Sequence, residues 1–549
     1  MTAHARARAH CAGRSVVALV CALQLAPPAI AQIVTPRYTL TPDQWREDLR
    51  VMMDELERRH RSLYHTTSAA SFDSAEKALH ARIPTLARHE IILELTRIAA
   101  LVGDGHTNIY PTRDAAIGFR SLPVALYLFR DGLFVRAAHR IHAHLAGARV
   151  LTIGGMPVEE AVRRVSPYVG HDNEMGVRFL TPHLLAIPEV LHASGLAPST
   201  DSVLFELDVA GARHAVWMRP VGPVDVMVAD VDASWRRKAG WVDARDAAGT
   251  PDPLWISRDP EKALWWFTVL PNSRTVYAQI NQVRNGATET FSDFTGRLLA
   301  AIDSVAAERL VIDLRLNRGG NGVLLRPLVS GILRRPNVNE PGKLLVLMGR
   351  GTWSAGQFLL DDLQKYADVT LVGEPPSSKG NHYGDSRRFT LPHSGITVRA
   401  ATLYWQGWPP GDARRWTAPD VAAELASGDY AVNVDPVLAA ALAFVPRPRL
   451  SEEIRQAIAA GDTAAARERL AIFRADSTHA YVDARLSLDS AAAHFLERRE
   501  FDRAITILEL AVMEFPDVPR AYASLSAAYL ARTRAQQPST VAERAEPEP

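Results

Sequence analysis

The sequence predicts a multidomain α/β plus α protein: a helical N-terminal piece, a β-rich middle, an α/β core and an all-α C-terminal array. Three observations carry this. From about residue 270 to 445, short apolar runs alternate with helical stretches, the pattern of a largely parallel sheet covered by helices. Residues 118–220 hold apolar runs paired around turn signals. Residues 449–535 change to Ala-, Leu- and Arg-rich helix with a visible repeat. At 549 residues the chain is too long for one ordinary domain of about 100–200 residues.

Taken in order, residues 1–31 read as a secretory leader. Arg6, Arg8 and Arg14 form a basic start, residues 15–25 are apolar, and Ala29 and Ala31 set a cleavage site after Ala31. That run is shorter than the roughly 20 apolar residues that span a bilayer. An uncleaved anchor is the competing reading. The expectation is a secreted or periplasmic protein with no transmembrane segment in the mature chain. Both cysteines, Cys11 and Cys21, fall inside the leader. The mature chain then has no thiol, which excludes disulfides, cysteine nucleophiles and Cys-based zinc sites. A net charge of +1 argues against a nucleic-acid binder driven by phosphate neutralisation.

Residues 38–112 form the helical N-terminal subdomain. Thr41 is placed as N-cap, Pro42 in the first turn and Gln44 as the reciprocal capping residue. Trp45, Leu49, Met52 and Leu56 follow at helical spacing. A second helix is predicted over 89–102, ended by Gly103, Asp104 and Gly105. In residues 118–220, the runs 123–129 and 133–137 flank Arg130-Asp131-Gly132, a hairpin signal. A strand, the Gly154-Gly155 turn and a helix over 159–165 resemble the middle of a PDZ domain. Residues 221–260 read as a linker and 261–445 as the α/β core. In the last segment, Leu488, Ala491, Ala492, Phe495, Ala504, Leu508, Ala511 and Pro516 fall at tetratricopeptide offsets, and Tyr522, Leu525, Ser526 and Tyr529 resume the pattern. A helix pair over 451–475 supplies the neighbour that a lone unit needs to bury its apolar face. The tail, 536–549, is polar and expected to be disordered.

Two stretches carry chemistry. Gly349-Arg350-Gly351-Thr352-Trp353-Ser354-Ala355-Gly356 follows an apolar strand and opens a helix. A serine there holds its hydroxyl at the carboxyl edge of the sheet, beside free helix N–H groups. On this stretch alone, Ser354 as a simple N-cap competes. The second stretch, Leu310 to Gly322, is a buried strand running into Arg318-Gly319-Gly320. Side-chain-free residues let backbone N–H groups approach a substrate oxygen, and a tetrahedral oxyanion takes two such donors. Gly319 or Gly320 supplies one and Ala355 the other. A nucleotide loop is the alternative, but neither Gly-Lys-Ser/Thr nor G-x-G-x-x-G is present.

Together these motifs resemble the catalytic core of the tail-specific (carboxyl-terminal-processing) serine peptidases and the tricorn core protease. Gly103-Asp104-Gly105-His106-Thr107 is similar to the histidine motif of the tricorn-like branch. The resemblance spans about 40–445. It implies a PDZ-like domain over 118–220, a β-sandwich-like, crotonase-like peptidase core over 261–445, and peptide or protein substrates. No cofactor or metal is implied, and no His-Glu-x-x-His spacing occurs.

A serine needs a base to take its proton. The resemblance to the tricorn-like branch points to His106, whose ordinary pKa suits the task. The resemblance to the processing peptidases points instead to Lys379, at the spacing of that branch's dyad. A lysine base must be desolvated, and Pro375-Pro376-Ser377-Ser378-Lys379 reads as polar and exposed. The resemblance further implies an acid that orients the imidazole shortly before Pro419-Asp420, which suggests Asp412, with Asp104, Glu374 and Asp385 as fallbacks and Asp420 as a structural cap. The leading expectation is a serine-type peptidase working through an acyl-enzyme on Ser354, with a protein partner docked on the repeat helices. The competing class is a catalytically silent scaffold with two peptide-binding modules.

Overall fold

The computed structural model of the chain describes residues 39–225, 228, 235–412 and 414–536. The expected leader and the tail beyond residue 536 lie outside the described residues. Mixed α/β architecture with several sheets and many helices is what the described chain shows. Among the described residues no helix is long and apolar enough to cross a membrane.

Helix α1 (Pro42–Arg59) opens on the capping box: Gln44 N–H donates to Thr41 Oγ1, and the Gln44 side chain accepts from Thr41 N–H. It buries Trp45, Leu49, Met52 and Leu56. Helix α2 (Ala69–Arg82) has no counterpart in the sequence reading, because its buried stripe is only Phe72, Ala75 and Leu79. Helix α3 (Arg88–Ala100) buries Ile91, Ile92, Leu95, Ile98 and Ala99, and ends before the Gly103 turn, where φ is 80°.

A seven-stranded sheet follows, in the order β1 (Val124–Phe129), β2 (Gly132–His139), β3 (Arg149–Ile153), β5, β6. Strand β4 (Met156–Pro157) pairs with β3, and helices α4 (Val158–Val165), α5 (Glu174–Leu184) and α6 (Pro188–Ala193) precede β5 (Val203–Val209) and β6 (Ala212–Met218). The β1–β2 hairpin turns at Gly132. Strand β7 (Trp241–Asp243) pairs antiparallel with the end of β2, Ala137 to His139, away from the residue that pairs with β3. This corrects the linker expectation for the described part of 221–260. Trp235 and Trp255 are buried there, and Asp243 binds Arg136, Arg245 and Tyr430 in a buried network. Tryptophans and paired charges at those positions pack rather than connect.

The core is a six-stranded sheet. Strand β8 (Trp265–Val269) runs antiparallel to β9 (Thr275–Ile280). Helices α7 (Phe291–Ser304), α8 (Arg326–Leu333) and α9 (Ala355–Tyr366) carry the chain over to β10 (Arg309–Asp313), β11 (Leu344–Met348) and β12 (Val369–Gly373), all parallel to β9. Two hairpin-like ribbons intervene: β13 (Asn381–Gly384) pairs with β16 (Leu403–Gln406), and β14 (Arg387–Thr390) with β15 (Thr397–Ala400). Strand β17 (Val421–Ala422) closes the sheet beside β12. Fully buried runs such as Leu344–Met348 fit strands covered on both faces. Short helices α10 (Ser427–Ala431) and α11 (Pro436–Ala443) lead to α12 (Leu450–Ala459), α13 (Thr463–Ala475), α14 (Ala484–Glu497), α15 (Phe501–Glu514) and α16 (Pro519–Gln536). Leu488, Ala491, Ala492, Phe495, Ala504, Leu508 and Ala511 share one buried cluster.

Candidate active site

In parallel α/β sheets, ligand crevices lie outside the carboxyl ends of the strands. Here the loops after β9, β10, β11 and β12 meet at that edge. Val283 N–H donates to Gly319 O, Trp353 N–H to Asn317 O, and Ser354 N–H to Ser378 Oγ. The loop after α3 is stitched to the same place. Asn108 and Arg399 exchange backbone hydrogen bonds, Ala401 N–H donates to Thr107 Oγ1, and Asn173 donates to Pro376 O.

Ser354 stands between β11 and α9 with φ 54° and ψ −119°. A non-glycine residue in such backbone costs about 1–3 kcal/mol and persists where the surroundings over-determine it. Its side chain makes no capping hydrogen bond to α9, so the N-cap reading does not hold. Gly319 packs directly against it: a Cβ on Gly319 would lie 2.6 Å from Ser354 Cβ and 3.1 Å from Oγ.

Of the two glycines that the sequence offers as alternative donors, one is already engaged. Gly319 N–H donates to Asn317 Oδ1 at 2.9 Å, so it is engaged, and Asn317 is itself anchored by donating to Ile280 O. Gly319 supplies room rather than a hydrogen bond. The amides of Gly320 and Ala355 have no acceptor among the described residues. Gly320 follows the glycine packed on Ser354, and Ala355 follows Ser354 itself.

His106 lies on Trp353, the residue before Ser354, with ring centres 4.1 Å apart and planes 21° from parallel. Its Nδ1 is sealed from solvent without a partner. Burial, then the neighbouring His382, pushes its pKa down to about 3, so the ring is neutral and holds a free lone pair. Asp104 shapes the turn that carries it. Asp104 Oδ1 accepts from the N–H groups of His106 and Thr107, and Oδ2 accepts from His60 Nε2 at 2.9 Å. Burial alone raises the Asp104 carboxyl, but the hydrogen bond from His60, with the backbone N–H of His106, acts the other way and the net shift is downward. Asp172 accepts from Gly105 N–H at 2.9 Å. Burial, reinforced by Asp104, pushes its pKa up to about 7.

The other expected residues are placed as follows. Pro375 to Ser378 are buried and Lys379 is half-buried, which corrects the exposed reading of that segment; its prolines and serines fill the space beside Ser354 and Asn173. Lys379 makes no ion pair among the described residues, and its charge bears on Asp172 and His65. Asp412 is not brought to His106: both its oxygens accept from Arg414. Glu374 accepts from Arg350, Asp385 from Trp405, and Asp420 from Leu371 N–H. No carboxylate among the described residues hydrogen-bonds the His106 ring. Sequence reasoning missed Asn317, Ser378 and His382; only Asn317 left a signal, as the polar residue before the double glycine.

His60, His65 and Asp104 bring their ligand atoms within 4.8 Å of one another. The tautomer disfavours a cation there. His60 Nδ1 accepts from Ser62 N–H, so Nε2 carries the proton it donates to Asp104 and has no lone pair for a metal. Beside Trp353 opens a cleft lined by Gly105, Asp172, Phe179, Arg318 and Ser377 among others.

No family model and no curated protein matches the sequence. Among solved structures the chain is similar to mature CPAF, at 11% identity over 71% of this chain and 94% of that one, with a TM-score of 0.48. It is similar to the photosystem II D1 C-terminal processing protease at 14% identity over 69% of this chain and 92% of that one, TM-score 0.31. It is also similar to the tricorn protease at 15% identity over 72% of this chain and 36% of that one, TM-score 0.30.

Proposed function

We propose that the protein is a serine hydrolase that cleaves peptide bonds through an acyl-enzyme on Ser354. The observation that carries this is the strained, uncapped Ser354 turn packed on Gly319, with the neutral His106 ring on its neighbour Trp353. His106 takes the Ser354 proton as Oγ bonds to the carbonyl carbon. The oxyanion sits between the Gly320 and Ala355 N–H groups. The C–N bond then breaks, the proton passes from His106 to the leaving amine, and water releases the acyl group by the reverse roles. The cleft beside Trp353 receives a substrate side chain.

The motif resemblance supports the same chemistry and extends it. Under it, the antiparallel sheet is a PDZ-like module that captures peptide ends, the C-terminal helices are tetratricopeptide-like and dock a protein partner, and the mature protein works outside the cytoplasm. A second reading, a Ser354–Lys379 dyad, is favoured by one contact: Ser378, next to Lys379, accepts from Ser354 N–H.

The test is labelling with a fluorophosphonate probe. Wild type is expected to label and Ser354→Ala not to. Equal labelling of both, or none of wild type, defeats the hydrolase reading and leaves the peptide-binding scaffold. His106→Ala and Lys379→Ala, compared side by side, separate the two bases: only the histidine change should abolish labelling.

A further inference from the structure

Four rings form a continuous stack beside the nucleophile. Trp353 faces His106 at 4.1 Å, His106 faces His382 at 5.7 Å with planes 14° apart, and His382 faces Phe358 at 5.3 Å. The two outer rings come from the segment that carries Ser354, one position before it and four after. The two imidazoles therefore lie between the neighbours of Ser354, their centres 5.7 Å apart, which leaves room for one ring to turn.

His382, on β13, is buried, and its tautomer is set. Nδ1 meets the Lys379 carbonyl at 2.8 Å, and a carbonyl only accepts, so Nδ1 carries the proton and Nε2 is a bare lone pair. That Nε2 is sealed from solvent and has no partner, like Nδ1 of His106. Burial holds the His382 ring neutral, and the titratable groups bearing on it are Asp361, Asp104, Asp385 and His106. Buried polar atoms are rarely left unpaired, and each such atom in a native protein calls for an explanation. Here an unpaired potential donor and an unpaired acceptor lie in adjacent rings.

The usual orienting group is a carboxylate, but none among the described residues hydrogen-bonds the His106 ring; one oxygen each of Asp172, Asp361 and Glu374 is buried without a partner, while their other oxygens, like Asp385, are held by other groups. Asp104 serves backbone amides and His60, Asp412 serves Arg414, Glu374 serves Arg350, and Asp361 accepts from Gln357 and Trp408. We infer that His382 is the third member of the site, a positioning residue whose Nε2 accepts the Nδ1–H of His106 once His106 has taken the serine proton. This rests on the serine-hydrolase reading. With Nδ1 sealed, Nε2 is the nitrogen of His106 that takes the proton from Oγ. The resulting imidazolium turns its Nδ1–H edge toward the His382 lone pair. No proton leaves His106 in that step, and it is returned through Nε2 to the leaving amine. Catalytic hydrogen bonds of this kind are often long at rest and tighten in the reacting complex.

The experiment uses the full-length protein and a rhodamine-tagged fluorophosphonate, so no substrate need be known. His382→Phe keeps a ring in the stack and removes the acceptor, whereas His382→Gln keeps both a donor and an acceptor. The expected result is a drop of at least 100-fold in the maximal phosphonylation rate for His382→Phe, with KI within threefold and an unchanged melting temperature, and recovery to within tenfold of wild type for His382→Gln. His382→Leu repeats the comparison should the phenylalanine variant fold poorly. A maximal rate within threefold of wild type in a folded variant lacking the acceptor overturns the assignment while leaving Ser354 and His106 in place. So does a 100-fold loss in Asp412→Ala with none in His382→Phe. A wild-type protein that never labels defeats the underlying reading instead.

Discussion

The imidazole of His106 lies face to face with the indole of Trp353, ring centres 4.1 Å apart. One residue comes from the loop after α3 and the other from the turn after β11, nearly 250 positions later. A Cβ on Gly105 would meet the same indole at 3.2 Å, so the glycine before His106 is what lets the two loops close. His106 and the Ser354 turn are joined by aromatic contact and need no chain continuity.

Gly319→Ala should disable the site without unfolding the protein. The added methyl would lie 2.6 Å from Ser354 Cβ, on a residue whose φ is 92°. Strain of about 1–3 kcal/mol is expected, with at least a 100-fold loss of phosphonylation rate. Labelling kinetics and a melting curve check both.

His60→Ala should act on His106 at second hand. It leaves the buried Asp104 carboxylate without the donor at 2.9 Å, at a cost of about 1–3 kcal/mol. The turn that Asp104 ties to His106 and Thr107 then loosens. A lower melting temperature together with a slower labelling rate is the expected pair of results.

Asp172 makes stability fall as pH rises. Its folded pKa, about 7, lies above its ordinary 3.8, so the native state holds the proton more tightly. That contribution is fully present below about pH 4 and lost as pH climbs through 7. Asp172→Asn keeps an acceptor for Gly105 N–H and removes the titration. The variant should match wild type at pH 4 and exceed it at pH 8 by up to ~4 kcal/mol, read from denaturant unfolding at the two pH values.

His106 predicts an unusual acid limb. Its folded pKa is depressed to about 3, so the imidazole stays neutral well below the ordinary histidine range near 6.5. Labelling rates after brief pH jumps should hold level down to about pH 5 and fall closer to 3. A midpoint near 6.5 would contradict this. By the same linkage, the stability His106 contributes is whole above about 6.5 and is lost as pH falls toward 3.

Local signals made much of this legible in the sequence. The Thr41–Gln44 capping box, the Gly132 hairpin and the alternation around Leu310 and Leu344 each act over a few residues, and each reads directly. The turn at Ser354 and the Gly319-Gly320 loop stand out in the sequence because a strained strand-to-helix turn and a close backbone approach need special residues, and the fold packs the two together. What stayed hidden depends on partners far along the chain. Asp412 reads as an orienting acid until Arg414 takes its carboxylate. Gly319 reads as a donor until Asn317 occupies its N–H. Pro375 to Ser378 look exposed by composition yet are buried. His382 has no local pattern at all; only the fold lays it against His106.

The most direct measurement is a crystal structure of the phosphonylated protein. The predicted result is a covalent bond from Ser354 Oγ to phosphorus, a phosphonyl oxygen about 2.7–3.1 Å from the N–H nitrogens of Gly320 and Ala355, and His106 Nε2 within about 3.2 Å of Oγ. An adduct on another side chain, or one on Ser354 with its oxygen turned to solvent and His106 still remote, would contradict the account.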